Sequence, residues 1–161
     1  MKSTPMRAEP LSRELMASHD GLAILKLMLE QKQPGPPIAE LLDFTMTEAE
    51  EGRVVFQGTP NESHRNPFGT IHAGWTATIM DSALACAVFT AIKAGEGYTT
   101  AEFKINCVRP LTAGMGVVTC EARLLHKGRT LATAEAYLKD ANGKLLAHGT
   151  ETCAIFPMPQ K

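Results

Sequence analysis

One carboxylate stands alone in the least polar stretch of the sequence. Asp81 is the only fully charged side chain between His72 and Lys93, a span that we predict to be one long helix at about 73–93, buried on all sides. A buried carboxylate is costly unless it is paired or hydrogen-bonded, and proteins keep such groups mainly where they are used. We therefore expect Asp81 either to do chemistry or to pair with a buried partner.

The predicted start of this helix carries the second chemical signal. Gly69, Ala73 and Gly74 surround His72, and such small residues let another group approach the backbone. Free N–H groups at a helix N-terminus, with the positive end of its dipole, can hold a developing oxyanion. Asn66 supplies a further donor in the same loop. Turn formation and close helix packing are the alternative explanation of the glycines.

Together these groups meet the needs of acyl transfer, in which N–H donors polarise a carbonyl and a carboxylate delivers the nucleophile. Asp81 follows His72 by nine residues, which is about 13–14 Å along a helix. One chain therefore cannot supply both groups to one substrate. We expect a dimer in which one subunit's helix start lies near the other's Asp81.

Composition narrows the class of protein. The chain has 161 residues, 44% apolar and 20% charged, which fits one globular domain and excludes general disorder. A net charge of -1 argues against a nucleic-acid or anionic-membrane binder. Four dispersed cysteines and scattered histidines lack metal-ligand spacing, so we expect no metal, no other cofactor and a reducing, cytoplasmic location.

The run from 73 to 92 is nearly long enough to cross a bilayer. A central Asp costs about 2.5–3.5 kcal/mol on insertion, however, and the many Ala and Thr residues offset little of that cost. We expect a buried helix of a soluble protein. The N-terminus also lacks the pattern of a secretory leader.

Residues 1–34 are interpreted as a polar lead-in (1–18) and a helix (19–32) that the prolines from Pro34 to Pro37 terminate. Residues 35–161 are predicted to form one α+β domain, an antiparallel sheet wrapped around the long helix. Its other elements are a short helix at 38–42 and strands at 43–49, 53–58, 100–107, 115–126, 129–140 and 144–156. Asn142-Gly143 predicts the last hairpin.

The run Asn66-Pro67-Phe68-Gly69-Thr70-Ile71-His72-Ala73-Gly74, followed by Asp81, resembles the signature of hotdog-fold acyl-CoA thioesterases. It is most similar to the phenylacetate-pathway (PaaI-type) and thioesterase-superfamily-member-2 branch. Segments 36–42, 99–110, 127–129 and 142–144 are also similar to that branch, so the resemblance covers about residues 35–156. It implies the hotdog fold.

The resemblance also implies catalytic roles. Asp81 would activate water as general base or attack the thioester itself. The backbone N–H of Ala73, which replaces the family's first Gly, would polarise the carbonyl with help from Asn66. His72 would orient that loop, and Thr100 would hold the attacking water. In the family, the two halves of the site come from different subunits of a dimer.

Other residues are candidates for binding substrate. Phe68, Gly74 and Trp75 lie near the expected acyl channel, although Trp75 is equally well explained as a core aromatic. Lys127, Gly128 and Arg129 bracket a turn where cationic side chains suit coenzyme A phosphates. A charged hairpin tip exposed to solvent is the alternative.

The resulting hypothesis is an acyl-CoA thioesterase, a homodimer or homotetramer that releases a carboxylate and coenzyme A, with aromatic and medium-chain acyl groups as candidates. A hotdog dehydratase or hydratase would place its His and carboxylate at a different spacing. A non-catalytic acyl-CoA sensor would lack the carboxylate that Asp81 supplies.

Overall fold

The computed structural model describes residues 11–31 and 35–158. They form an α+β fold with one long helix and a six-stranded sheet. No helix in these two ranges is long and apolar enough to cross a membrane. The elements are, in order, α1 (Arg13–Ser18), α2 (Gly21–Leu29), α3 (Pro37–Leu41), β1 (Phe44–Glu50), β2 (Arg53–Gly58), a 3-10 turn (Glu62–His64), α4 (Ala73–Phe89), β3 (Glu96–Cys107), β4 (Val118–Lys127), β5 (Leu131–Lys139) and β6 (Leu145–Pro157).

The sheet is antiparallel throughout and runs in the order β1-β2-β4-β5-β6-β3. Its concave face covers α4, and register shifts in β1, β3 and β4 help it to bend. Small, fully buried side chains line the centre of that face and let the helix approach closely. These side chains are Ala122, Ala132, Ala134 and Ala136. The predicted arrangement of a sheet around one central helix is confirmed.

Two sequence predictions are wrong: where the long helix ends, and that the first eighteen residues contain no helix. The long helix ends at Phe89, not near 93, because Thr90 closes its last turn: its hydroxyl donates to the Ala87 carbonyl at 2.7 Å and accepts the Gly52 N–H at 2.9 Å. The predicted polar lead-in contains α1, whose first turn is capped by the Ser12 hydroxyl. Residues 1–10 of that lead-in and Pro34 of the predicted helix stop lie outside the described residues.

Strand β3 forms one edge of the sheet and is unusually open. Six consecutive residues, from Thr99 to Lys104, are exposed on both faces, although the sequence alternation predicts one buried face. An edge strand presents unpaired backbone groups that can pair with another strand. This edge is therefore suited to contact with a second chain.

Helix α2 packs on the end of α4 through a close backbone approach. The Gly21 N–H donates to the Ile92 carbonyl at 2.8 Å, and Ile24 and Leu25 are buried behind it. A Cβ at Gly21 would collide with the carbonyl oxygen and ring of Phe89. Only glycine therefore lets α2 lie this close to α4.

We expect Gly21→Ala to destabilise the docking of α2, since an added methyl group in a filled contact costs about 1–3 kcal/mol. Urea unfolding and hydrogen exchange of α2 amides would measure the loss. The control is Gly35→Ala, because nothing lies within 4 Å of a Cβ at Gly35. Equal hydrogen-exchange protection of the α2 amides in both variants would contradict the proposed contact at Gly21.

Candidate active site

The start of α4 has one backbone donor without an internal acceptor. His72 is the N-cap, and its Nδ1 accepts the Gly74 N–H at 2.8 Å. The Trp75 N–H donates to the His72 carbonyl at 3.0 Å. Within the described parts of the chain, nothing accepts the Ala73 N–H, and Ala73 is exposed. The helix therefore presents this donor, at the positive end of its dipole, to an incoming group.

Asn66 lies in the loop that leads to this helix start. Its side chain braces the loop: Nδ2 donates to the Thr70 hydroxyl at 2.8 Å, while Oδ1 accepts the Phe68 N–H at 2.9 Å. Asn66, Ala73 and Arg109 line one cavity of about 270 Å³. The structure thus brings Asn66 and Ala73 to one cavity.

Ala73 is the first residue of α4, and it is not among the described non-glycine residues with positive φ, which are Gln31 and Asp43. The departure from glycine at this position is therefore compatible with the backbone, because a helical φ suits alanine.

Asp81 opens into a different cavity. Its cavity has a volume of about 350 Å³, within the range of small-molecule sites. Its walls are mostly apolar and come from α2, the α2–α3 connection, α3, β1, β2 and α4. They include Met28, Leu29, Ile38, Met46, Phe56, Ala85 and Cys86. Asp81 is half-buried, and burial raises the pKa of its carboxyl above the usual range.

The two cavities lie on separate parts of the chain. Ala73 and Asp81 belong to one uninterrupted helix, so eight residues of helical rise separate them by about 12 Å. A thioester carbonyl at the Ala73 N–H is therefore beyond the reach of the same chain's Asp81.

A second carboxylate, missed by the sequence analysis, lies beneath Thr100. Glu151 on β6 is 1% exposed. Its Oε1 accepts the Thr100 hydroxyl at 2.8 Å and the Cys153 thiol at 3.1 Å. Its Oε2 has no hydrogen-bond partner among the described residues.

Burial raises the pKa of Glu151 to about 7. The hydrogen bonds from Cys153 and Thr100 act in the opposite direction, and the negative charges of Asp81 and Glu102 add to the effect of burial.

The sequence contained one signal that Glu151 is unusual. In the alternation of β6, position 151 falls on the face whose other residues are Ala147, Gly149, Cys153 and Ile155, so a Glu stands where small or apolar residues are expected.

The candidate substrate-binding residues fall in three environments. Trp75 is a core residue: it is buried, donates from Nε1 to the Leu42 carbonyl at 2.8 Å, and stacks on His64. Phe68 is 94% exposed, and Gly74 is held by the His72 cap. At the β4–β5 turn, Lys127 pairs with Glu96 at 3.0 Å, and Arg129 is exposed beside Gly128.

Cysteine chemistry is not favoured at this site. Burial raises the pKa of Cys86 to about 12 and moves the pKa of Cys153 upward as well, so both thiols stay protonated and weakly nucleophilic. Within the described ranges, no group of three His, Cys, Asp or Glu residues is arranged to hold a metal ion.

Comparison of the sequence with those of known proteins identifies related proteins. The sequence profile of the thioesterase superfamily matches residues 68–147. Human acyl-coenzyme A thioesterase 13 is 32% identical over 110 residues, which are 68% of this chain and 77% of that protein. The 1,4-dihydroxy-2-naphthoyl-CoA hydrolase of Listeria monocytogenes is 25% identical over 118 residues, 73% of this chain and 94% of that protein.

Solved structures show the same fold. A phenylacetic acid degradation-related protein from Ralstonia eutropha superposes with a TM-score of 0.73 at 25% identity. The match covers 80% of this chain and 97% of that one. It confirms the hotdog architecture expected from the motif.

Glu151 makes stability depend on pH. Between pH 4.5, its usual pKa, and about 7, the unfolded chain releases this proton while the folded chain keeps it. Stability therefore falls as pH rises through this window and stays lower above it. We expect the ionisation of Glu151 to lower the free energy of unfolding of the wild type by about 2–3 kcal/mol from about pH 5 to about pH 8.

Glu151→Gln cannot ionise, so urea unfolding at both pH values should show that its stability changes less with pH than that of the wild type. The control variant Glu40→Gln changes an exposed carboxylate on α3 and should keep the wild-type slope. An unchanged slope in Glu151→Gln would contradict the raised pKa.

Proposed function

Since this chain belongs to the thioesterase superfamily and is a thioester hydrolase, we propose that its substrate is an acyl-CoA, which it hydrolyses to a carboxylate and free coenzyme A. One observation carries the proposal: a half-buried carboxylate, Asp81, lies in the wall of an apolar cavity. Such a cavity suits an acyl chain, and Asp81 is the only charged side chain among the described residues that line it.

Asp81 supplies the nucleophile. As general base it takes a proton from water while the water oxygen bonds to the thioester carbon. The C–S bond of the tetrahedral intermediate then breaks, and the thiolate of coenzyme A regains a proton. Direct attack by the Asp81 carboxylate, followed by hydrolysis of the anhydride, is the other route. In both routes a pKa raised by burial makes the carboxylate a stronger base.

The Ala73 N–H supplies the oxyanion donor. The His72 cap occupies the next amide, that of Gly74, so the cap leaves Ala73 as the donor aimed outward. The Asn66 amide, which lines the same cavity, is the second donor. Loss of one such donor usually lowers kcat by about 10²–10³-fold.

The helix separates these two halves, so the active site is composite. We assign the missing half to a second copy of the chain, which pairs along the open edge of β3. This pairing would cover the exposed residues 99–104 and bring one subunit's Ala73 near the partner's Asp81. The assembly is then at least a homodimer, and a tetramer would be built from two such dimers.

The cavity beside Asp81 defines the acyl class. A cavity of about 150 Å³ is large enough for benzene, and this one is about 350 Å³. Met28 and Met46 give its wall adaptable, polarizable surfaces. An aromatic or medium-chain acyl group fits these dimensions.

We expect Asp81→Asn to lower kcat by about 10²–10⁴-fold, since the amide cannot take a proton from water. The measurement is thiol release from a panel of aromatic and straight-chain acyl-CoAs. The matched control is Asp43→Asn, an identical change at an exposed residue with φ of 54°, where Asn is well tolerated. Wild-type turnover in a folded Asp81→Asn variant would refute the assignment, and tight binding without any turnover in the wild type would indicate a sensor.

A mixing experiment tests the composite site. Asp81→Asn and Asn66→Ala chains are each expected to be impaired alone. After denaturation and joint refolding of equal amounts, half of the dimers are mixed, and each mixed dimer holds one intact site. Activity should therefore rise towards about a quarter of the wild-type value. Activity no higher than the average of the two separate variants would mean that each site is built from one chain.

A further inference from the structure

Glu151 is a buried carboxylate to which the mechanism above gives no role. It is 1% exposed, and its Oε1 accepts two hydrogen bonds while Oε2 accepts none from the described residues. A buried polar atom without a partner costs about 1–3 kcal/mol, and more when it is charged. A residue that costs this much in the core calls for an explanation other than packing.

The surroundings of Glu151 disfavour its charged form. Helix α4 contributes Asp81 and the thiol of Cys86, β3 contributes Tyr98, Thr100 and Glu102, and β6 contributes Cys153. No Lys, Arg or His among the described residues forms an ion pair or a hydrogen bond with it. Because the negative charges of Asp81 and Glu102 act on Glu151 and no cation of the described residues pairs with it, the neutral acid is the less costly state.

Between Asp81 and Glu151, burial decides which carboxylate holds a proton more readily. Glu151 is almost fully enclosed, whereas Asp81 is half-buried and borders an open cavity. Solvent therefore stabilises the charge of Asp81 better than that of Glu151. This difference in burial favours an ionised Asp81, as a base requires, and a neutral Glu151.

The hydrogen bond from Thr100 has a chemical consequence. A threonine hydroxyl has one proton to donate, and Thr100 donates it to Glu151. In every other hydrogen bond, the Thr100 oxygen can act only as the acceptor. A water molecule bound there must donate to Thr100. If it also donates to Asp81, both its protons are engaged and its lone pair is free to attack a carbonyl carbon.

We propose that Glu151 is a positioning residue for the hydrolytic water: as a neutral acid with its proton on Oε2, it accepts the Thr100 hydroxyl proton through Oε1 and so fixes Thr100 as an acceptor beside the ionised Asp81. This inference rests on the proposed hydrolysis. The raised pKa of Glu151 agrees with it, and so does the coupling of its charge to that of Asp81.

A double-mutant cycle tests whether Glu151 acts through Thr100. Thr100→Val and Glu151→Leu should each lower kcat about tenfold, the value of one hydrogen bond, with little change in KM. The double variant should lose no more than either single one, because both remove the same orientation of water; independent effects would multiply to about a hundredfold. Glu151→Gln keeps the acceptor oxygen and should restore kcat to within about threefold of the wild type.

A spectroscopic measurement reads the state of Glu151 without turnover. The infrared difference spectrum between wild type and Glu151→Gln should contain the carbonyl band of a neutral carboxylic acid at about pH 6, and this band should disappear by about pH 8. Glu135→Gln, a change on the opposite face of the sheet, should lose no such band. Circular dichroism confirms that each variant is folded.

Three results would overturn the proposal: full kcat in Glu151→Leu, losses that multiply in the double variant, or no neutral-acid band in the wild type. Failure of the proposed hydrolysis is distinguishable from these results. It would appear as wild-type turnover in Asp81→Asn, while the infrared band would still report the protonation state of Glu151.

Discussion

A single rigid helix fixes the distance on which the rest of this molecule depends. Helix α4 carries an exposed backbone N–H at its first residue and a carboxylate near its middle, and its hydrogen-bonded backbone keeps them about 12 Å apart. The alanines of the sheet allow this helix to lie close to the strands, and β3 leaves an edge open. The proposed active site needs a second chain, and the uncovered edge of β3 is where that chain would pair.

Apolar packing around α4 sets the chemistry as well as the fold. The side chains of the cavity wall shield Asp81 from water, and Glu151, which is buried elsewhere in the core, is shielded more completely. Both pKa values rise for this reason, but the two groups differ in exposure. Stability and the proposed hydrolysis therefore have opposite requirements, since a core without these carboxylates would be more stable but would lack the base that the proposed reaction uses.

The sequence was informative where a local pattern determines the structure. The apolar span around Asp81 predicts α4, and Asn142-Gly143 predicts the β5–β6 hairpin, in which Gly143 has a φ of 77°. It was less informative where distant contacts decide. Thr90 ends α4 through a bond to Gly52, and α1 depends on a cap at Ser12. Glu151 was missed because its environment comes from α4, β3 and β6 together, although its position in the alternation of β6 was readable.

The open edge of β3 also has a charge pattern that would restrict how a second copy could pair with it in the proposed dimer. Glu102 and Lys104 lie two residues apart on this exposed strand, beyond the bulge that follows Thr100. When two identical strands pair antiparallel, a register centred on either residue places like charges opposite each other, which is unfavourable. A register centred on Phe103 instead places each Glu102 opposite a Lys104. Alternating charge on an edge thus discriminates among the alignments that a uniform, uncharged strand would accept equally, and it discourages unlimited stacking of further strands.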